Sequence, residues 1–192
     1  SGTVFEDVDF AGTASNYDGG INDVGQPFVD VELYGSGDVY ITSTSTDAGG
    51  NYSFSGLPDG TYKVRVRSAT VGDLDTPPDA GLNATVPATW PYPLPEMTWA
   101  DSGALIGGQD HEADDTATPD DAGPGDTYAV VTISGGGLTG VNFGFCFNLI
   151  VNEDDDANMD NVRSKQGTLR QFIKNSNAIA GVNRSQFRIP GL

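Results

Sequence analysis

The chain has 192 residues, 27 of them Asp or Glu and 9 Lys or Arg, for a formal net charge of −18 at pH 7. Charge of that sign and size repels nucleic acid and anionic lipid, so neither a nucleic-acid partner nor direct membrane insertion is expected. One cysteine excludes an internal disulfide, and no apolar run is long enough to span a bilayer. Two compatible readings of the acidity remain. One is a solvated surface that keeps a secreted protein soluble; the other is carboxylate clusters that bind calcium through hard oxygen ligands.

Residues 1–67 read as a first block of strands. The chain enters a strand directly at Ser1 without a signal peptide, which points to a processed piece of a larger protein. Thr3, Phe5, Val29, Val31 and Leu33 alternate with polar neighbours, as suits a sheet packed on one face. Asp47 to Asn51 predicts a turn with Gly49 and Gly50 at positive φ, and Pro58, Asp59 and Gly60 predict a second turn. Tyr52, Phe54, Tyr62, Val64 and Val66 then share one face, and Lys63, Arg65 and Arg67 the outward one.

Residues 68–127 are rich in proline and aspartate and weakly periodic. So long a stretch is not expected to be structureless. Short strands are expected at residues 84–89 and 96–99, the alternative being an ordered excursion over the sheets. Periodicity returns at Tyr128–Ser134, followed by a Gly135–Gly137 turn. Val141, Phe143, Phe145, Phe147 and Leu149 form the strongest alternating run, with Cys146 on the opposite face as a buried, inert thiol. The expected core is Phe5, Val31, Leu33, Tyr52, Phe54, Tyr62, Val64, Phe143, Phe145 and Phe147.

A separate unit is expected over 151–192. It opens with an acidic linker, Asn152–Asp160. Thr168 and Gln171 then form a capping box for a helix over 168–180, with Leu169, Phe172, Ile173 and Ile179 packed against a neighbouring surface. Gly181 stops it, and a short strand follows at Ser185–Ile189.

The run Thr46, Asp47, Gly50, Tyr52, Phe54, Leu57, Gly60, Tyr62, Val64 resembles the T-D-x-x-G-x-Y-x-F-x-x-L-x-x-G-x-Y-x-V signature of prealbumin-like repeats, the B-type repeats of serine–aspartate and collagen adhesins. Gly140-Val-Asn-Phe-Gly-Phe145 is similar to the closing strand of the same repeats. The resemblance implies a mainly β protein. An antiparallel prealbumin/Ig-like β-sandwich would span 1–150, interrupted by the acidic insertion 68–127 and followed by a C-terminal amphipathic helix and short strand. Gly167-Thr-Leu-Arg-Gln171 and the residues after it resemble the segment that caps right-handed parallel β-helices in very large bacterial surface proteins. The implied function is non-enzymatic and extracellular: a cell-surface stalk or spacer whose partners are neighbouring domains or subunits.

Calcium is the one cofactor the resemblance implies. Asp7 and Asp9 match the first and third ligand positions of the W-E-D-x-N-x-N-G calcium loop, but Ala11 stands where a third oxygen ligand belongs, and residues 13–22 form an insertion. Asp18 and Asp23, with Asn16 and Asn22, are candidates to complete the six to eight oxygens that calcium takes. Asp47, and the run Asp110, Glu112, Asp114 and Asp115, are analogous candidates. An EF-hand at 154–165 is excluded, because Met159 replaces its turn glycine and Lys165 its terminal glutamate.

Catalytic signals are poor. His111 is the single histidine, no G-x-S-x-G elbow is present, and one imidazole cannot build a multi-histidine zinc site. Trp90, Tyr92 and Trp99 lie in a proline-stiffened stretch and are the candidates for ligand contact, stacking on sugar rings; their alternative role is to cover an edge of the sandwich. Two rival functions follow: a fibre subunit that donates Phe187–Leu192 as a strand to its neighbour, and a glycan-binding accessory module.

Overall fold

β-Branched and aromatic residues at alternate positions set the strands, and glycine, proline and aspartate set the turns between them. The computed structural model describes residues 1–7, 17, 23–67, 70–71, 95–100, 104–105, 128–147, 149–150, 169–178 and 185–187. In chain order these form β1 (Gly2–Glu6), β2 (Val24–Gly25), β3 (Asp30–Tyr34), β4 (Tyr40–Ser45), β5 (Asn51–Tyr52) and β6 (Gly60–Val66). They continue with β7 (Pro95–Ala100), β8 (Ala104–Leu105), β9 (Tyr128–Ile133), β10 (Phe143–Phe147), β11 (Leu149–Ile150), α1 (Leu169–Ala178) and β12 (Gln186–Phe187).

Two sheets make a sandwich. One runs β2-β1-β10-β7-β8, with β5 also paired to β1; the other runs β4-β3-β6-β9. All these pairs are antiparallel except one: β1 and β10 run parallel, with Val4 opposite Phe143 and Glu6 opposite Phe145. The expected β-sandwich is borne out, with its one parallel pair at the point where strands from the two ends of the sandwich sequence become neighbours.

The core lies between the sheets. Val31, Leu33, Tyr62, Val64, Val66, Ala129 and Val131 face it from the four-stranded sheet, and Val4, Tyr52, Met97, Phe143 and Phe145 from the other. Phe54 packs half-buried against this cluster. Burying one large apolar side chain contributes about 1.5–3 kcal/mol, so this cluster is the main source of stability.

Phe5 is buried as expected, though not in the cluster between the sheets. Val4 joins the core cluster, and Phe5 is fully buried on the other face, 5.5 Å from the ring of Tyr17. The β1–β10 register explains this, because it sets Phe5 beside Gly144, which has no side chain to compete for the space. An added Cβ at Gly144 would lie 2.8 Å from Phe5 Cζ and 2.7 Å from Thr98 Oγ1. Period two therefore holds in β1, but both of its faces are buried. Cys146 is buried as expected, and the side chain of Phe147 lies outside the described residues.

Turn chemistry holds at Gly50, whose φ of 78° takes the left-handed region and whose Cα lies tight against neighbouring backbone. Gly49 does not share that conformation; in the second turn the left-handed residue is Gly56, before Pro58. Phe28 is a non-glycine residue at φ 61°, and its turn is held by its own N–H donating to Thr46 O at 3.1 Å and by Val29 N–H donating to Thr46 Oγ1 at 2.9 Å. Strain of this kind persists where the surroundings fix the backbone.

The strand expected at residues 96–99 is β7, which pairs with both β10 and β8; the one expected at 84–89 lies outside the described residues. The C-terminal helix falls within the expected limits, and β12 pairs in parallel with β11. Its expected burial is corrected: Leu169 is 46 % and Ile173 49 % exposed, while Phe172 is half-buried. Among the described residues, the helix adjoins β10 and β11. Ile179 lies outside the described residues.

Gly144→Ala is expected to lower unfolding free energy by about 1–3 kcal/mol, the usual cost of overpacking a filled site. Urea denaturation measures it, and Phe5→Leu in the same chain should recover part of the loss by vacating the space over Gly144.

Candidate functional site

The sandwich has two unlike poles, and the acidic one is built where β1 ends. Glu6 lies opposite Val24 in the antiparallel β1–β2 pair, and Asp7 and Asp23 are the residues next to that end of the pair. Asp7 is held in line by its N–H, which donates to Phe145 O at 2.8 Å. Glu6, Asp7 and Asp23 are all buried. Carboxylates drawn out of water near one another repel, and either a proton or a cation relieves that repulsion.

Asp47 belongs to the adjoining turn, which is tied to β1 by Val4 N–H donating to Gly50 O at 2.9 Å. Its Oδ1 accepts the N–H of Gly49 at 2.8 Å, the N–H of Asn51 at 2.9 Å and the amide of Asn51 at 3.1 Å. The backbone N–H of Asn51 and then that of Gly49 hold the Asp47 carboxyl below the usual carboxylate range. The geometry makes Asp47 the organiser of a turn at the acidic pole.

Among the described residues, no three His, Cys, Asp or Glu side chains converge in a group able to hold a metal ion. Asp9, Asp18, Asp110, Glu112 and Asp114 lie outside the described residues, as do Trp90 and Tyr92. The structure thus places Asp7 and Asp23 at the same end of the β1–β2 pair and Asp47 on the neighbouring turn. Trp99 is placed on β7 with its Cα opposite Gly144, so its backbone is part of a ladder rather than a loop.

Sequence alternation missed a charged network on the outer face of the four-stranded sheet. Arg65, expected to point outward, is fully buried together with Glu32, which lies directly opposite it across β3 and β6. Arg65 Nη1 donates to Glu32 Oε2 at 3.0 Å, and Tyr34 Oη donates to the same oxygen at 2.7 Å. Arg67 Nη1 donates to Asp30 Oδ2 at 3.0 Å, and Ser45 Oγ donates to Asp30 Oδ1 at 2.8 Å, which ties β4 to the same face. Lys63 remains on this outward face, paired with Asp38 and 4.3 Å from the centre of the Tyr128 ring. A signal existed in the lone charges of Val31-Glu-Leu33 and Val64-Arg-Val66, but their pairing depends on a register between strands not adjacent in sequence.

Burial, and then the hydrogen bond to Glu32, push the Tyr34 phenol up to about 12 from an ordinary value of 10.0. A group whose folded pKa is raised contributes its full stability below the unfolded pKa and loses it as pH rises through the folded one. Stability measured by urea denaturation should therefore fall between about pH 10 and pH 12. Tyr34→Phe should lower stability at neutral pH by about 1–2 kcal/mol and flatten that alkaline fall, because the hydrogen bond to Glu32 is gone.

Residues 2–89 match the family model of the SdrD B-like domain. The matched span holds β1 to β6, whereas β9 and β10, which complete the two sheets, lie beyond it. The match points to a structural module of a surface protein.

Proposed function

We propose that this chain is a load-bearing spacer of an extracellular surface protein, stiffened by calcium at its acidic pole. The observation that carries this reading is the parallel β1–β10 pair. Because these adjacent strands run the same way, the chain enters the sandwich at one pole and leaves β10 at the other. Tension applied at those two points slides β1 along β10, so the ladder bonds share the load instead of opening one after another. The match to a surface-protein module agrees with that role.

Calcium would be held by Asp7 and Asp23, with Asp9 and Asp18 from the intervening segment as further ligands and Asp47 fixing the adjoining turn. The burial of Asp7 and Asp23 at one end of the β1–β2 pair supports this, because a divalent cation offsets repulsion between buried carboxylates. Residues 1–150 would form the spacer and 151–192 a cap leading to a further domain, in keeping with the cap-like segment at 167–178. Phe187, the first residue of the segment considered for strand donation, already pairs within its own chain through β12 and β11, which favours the spacer over the fibre subunit.

Single-molecule pulling between the two ends of residues 1–150 tests both parts. One high-force event per molecule is expected, stronger at about 1 mM calcium, a concentration suited to extracellular modules, than in excess chelator. Asp7→Ala should bring the calcium trace down to the chelator trace. Equal forces in calcium and chelator would remove calcium alone, and gradual low-force opening in both would remove the spacer.

A further inference from the structure

The pole opposite the carboxylates holds a cavity of about 510 Å³ that opens to solvent between the ends of the two sheets. Folded interiors leave few voids larger than a water molecule, whereas ligand pockets run from about 300 to 1,000 Å³. The cavity therefore has the size of a binding site rather than of a packing fault. We propose that it binds a neutral small molecule with an aromatic or branched aliphatic body.

The chemistry of the walls selects that class. Leu33, Val64 and Val131 from the four-stranded sheet line one side, and Tyr52 and Phe54 contribute aromatic surface from the loop side. Several polar groups along the wall are already engaged: Tyr52 Oη donates to Val141 O at 2.6 Å, Tyr62 Oη donates to Pro58 O at 2.9 Å, and the Ser1 ammonium donates to Leu138 O at 2.9 Å. Asp59 also lines the cavity, and both of its carboxylate oxygens accept the N–H of Gly135 at 3.0 Å. An ionised group carried inside would give up its water to walls that are largely apolar, which is costly. Asp59 and the net charge of −18 further disfavour an anion. A polar end on the ligand can instead remain at the rim, beside the exposed hydroxyls of Ser53 and Ser55.

The sequence keeps the mouth open. Gly136 and Gly137 are part of the lining, and an added Cβ at either would meet nothing within 4 Å. Gly136 and Gly137 thus put no side chain across this part of the mouth.

The probe is N-phenylnaphthylamine, a neutral fluorophore, titrated into the full chain, with its sulfonated anionic counterpart in parallel. Saturable one-to-one binding of the neutral dye is expected, with the anion bound about tenfold more weakly or worse. Methyl NMR should show the neutral dye shifting Leu33, Val64 and Val131. Val131→Phe fills the cavity from its wall and should abolish binding, and Gly137→Trp should weaken it from the mouth without touching the core. Absence of saturable binding by the unmodified chain overturns the proposal. So does dye-induced shifting confined to residues outside the cavity, or undiminished binding by either variant with its melting transition intact.

Discussion

Val4 and Phe143 stand opposite each other in a parallel pair that joins nearly the first strand of the sandwich to its last, and the order of every other strand in that sheet follows from this junction. Through β1, the pair attaches β2 and β5; through β10, it attaches β7 and β8. It also brings Val4, Phe143 and Phe145 onto the core face together. Closing so long a loop is costly in chain entropy, and nothing local offsets that cost until the core forms. Thr3 N–H, which donates to Asn142 Oδ1 at 2.9 Å, and Val141 N–H, which donates to Ser1 O at 3.2 Å, add side-chain and backbone ties at the start of the same junction.

The junction also explains why the two poles differ. Where β1 and β10 begin, glycine-rich chain and short polar residues leave the sheets apart, and the apolar cavity remains open. Where they end, β1 hands over to Glu6 and Asp7, and the β2 and Asp47 turns close around them. Buried carboxylates collect at one end of the molecule and a largely apolar space at the other. A spacer so built can respond to a cation at one pole and a neutral ligand at the other without the two sites sharing a residue.

Much of the fold was legible because alternation and turn chemistry are local. Tyr52, Tyr62, Val64 and Val66 could be assigned to one face, and Phe143 and Phe145 to the core, from period two alone. The limits of that reasoning are instructive. It assumes that the second face meets water, yet Glu32 and Arg65 are buried there, and Phe5 is buried on the face opposite Val4. Each owes its burial to a non-local partner: Gly144 beneath Phe5, and Glu32 opposite Arg65. The same limit applies to the acidic pole, where the resemblance supplied Asp7, ligand counting added Asp23, and the β1–β2 pair sets both at its one end. The cavity left no trace in any residue pattern, since it results from what the loop around Gly136 lacks.

The central claim is that the folding unit extends past the matched span and needs β9 and β10. Calorimetry of a chain ending at Thr127, compared with one ending at Ile150, tests this most directly. The longer chain should melt in a single cooperative transition, and the shorter one, lacking β9 beside β6 and β10 beside β1, should show none. A chain ending at Thr127 that melts cooperatively at the same temperature would contradict the account.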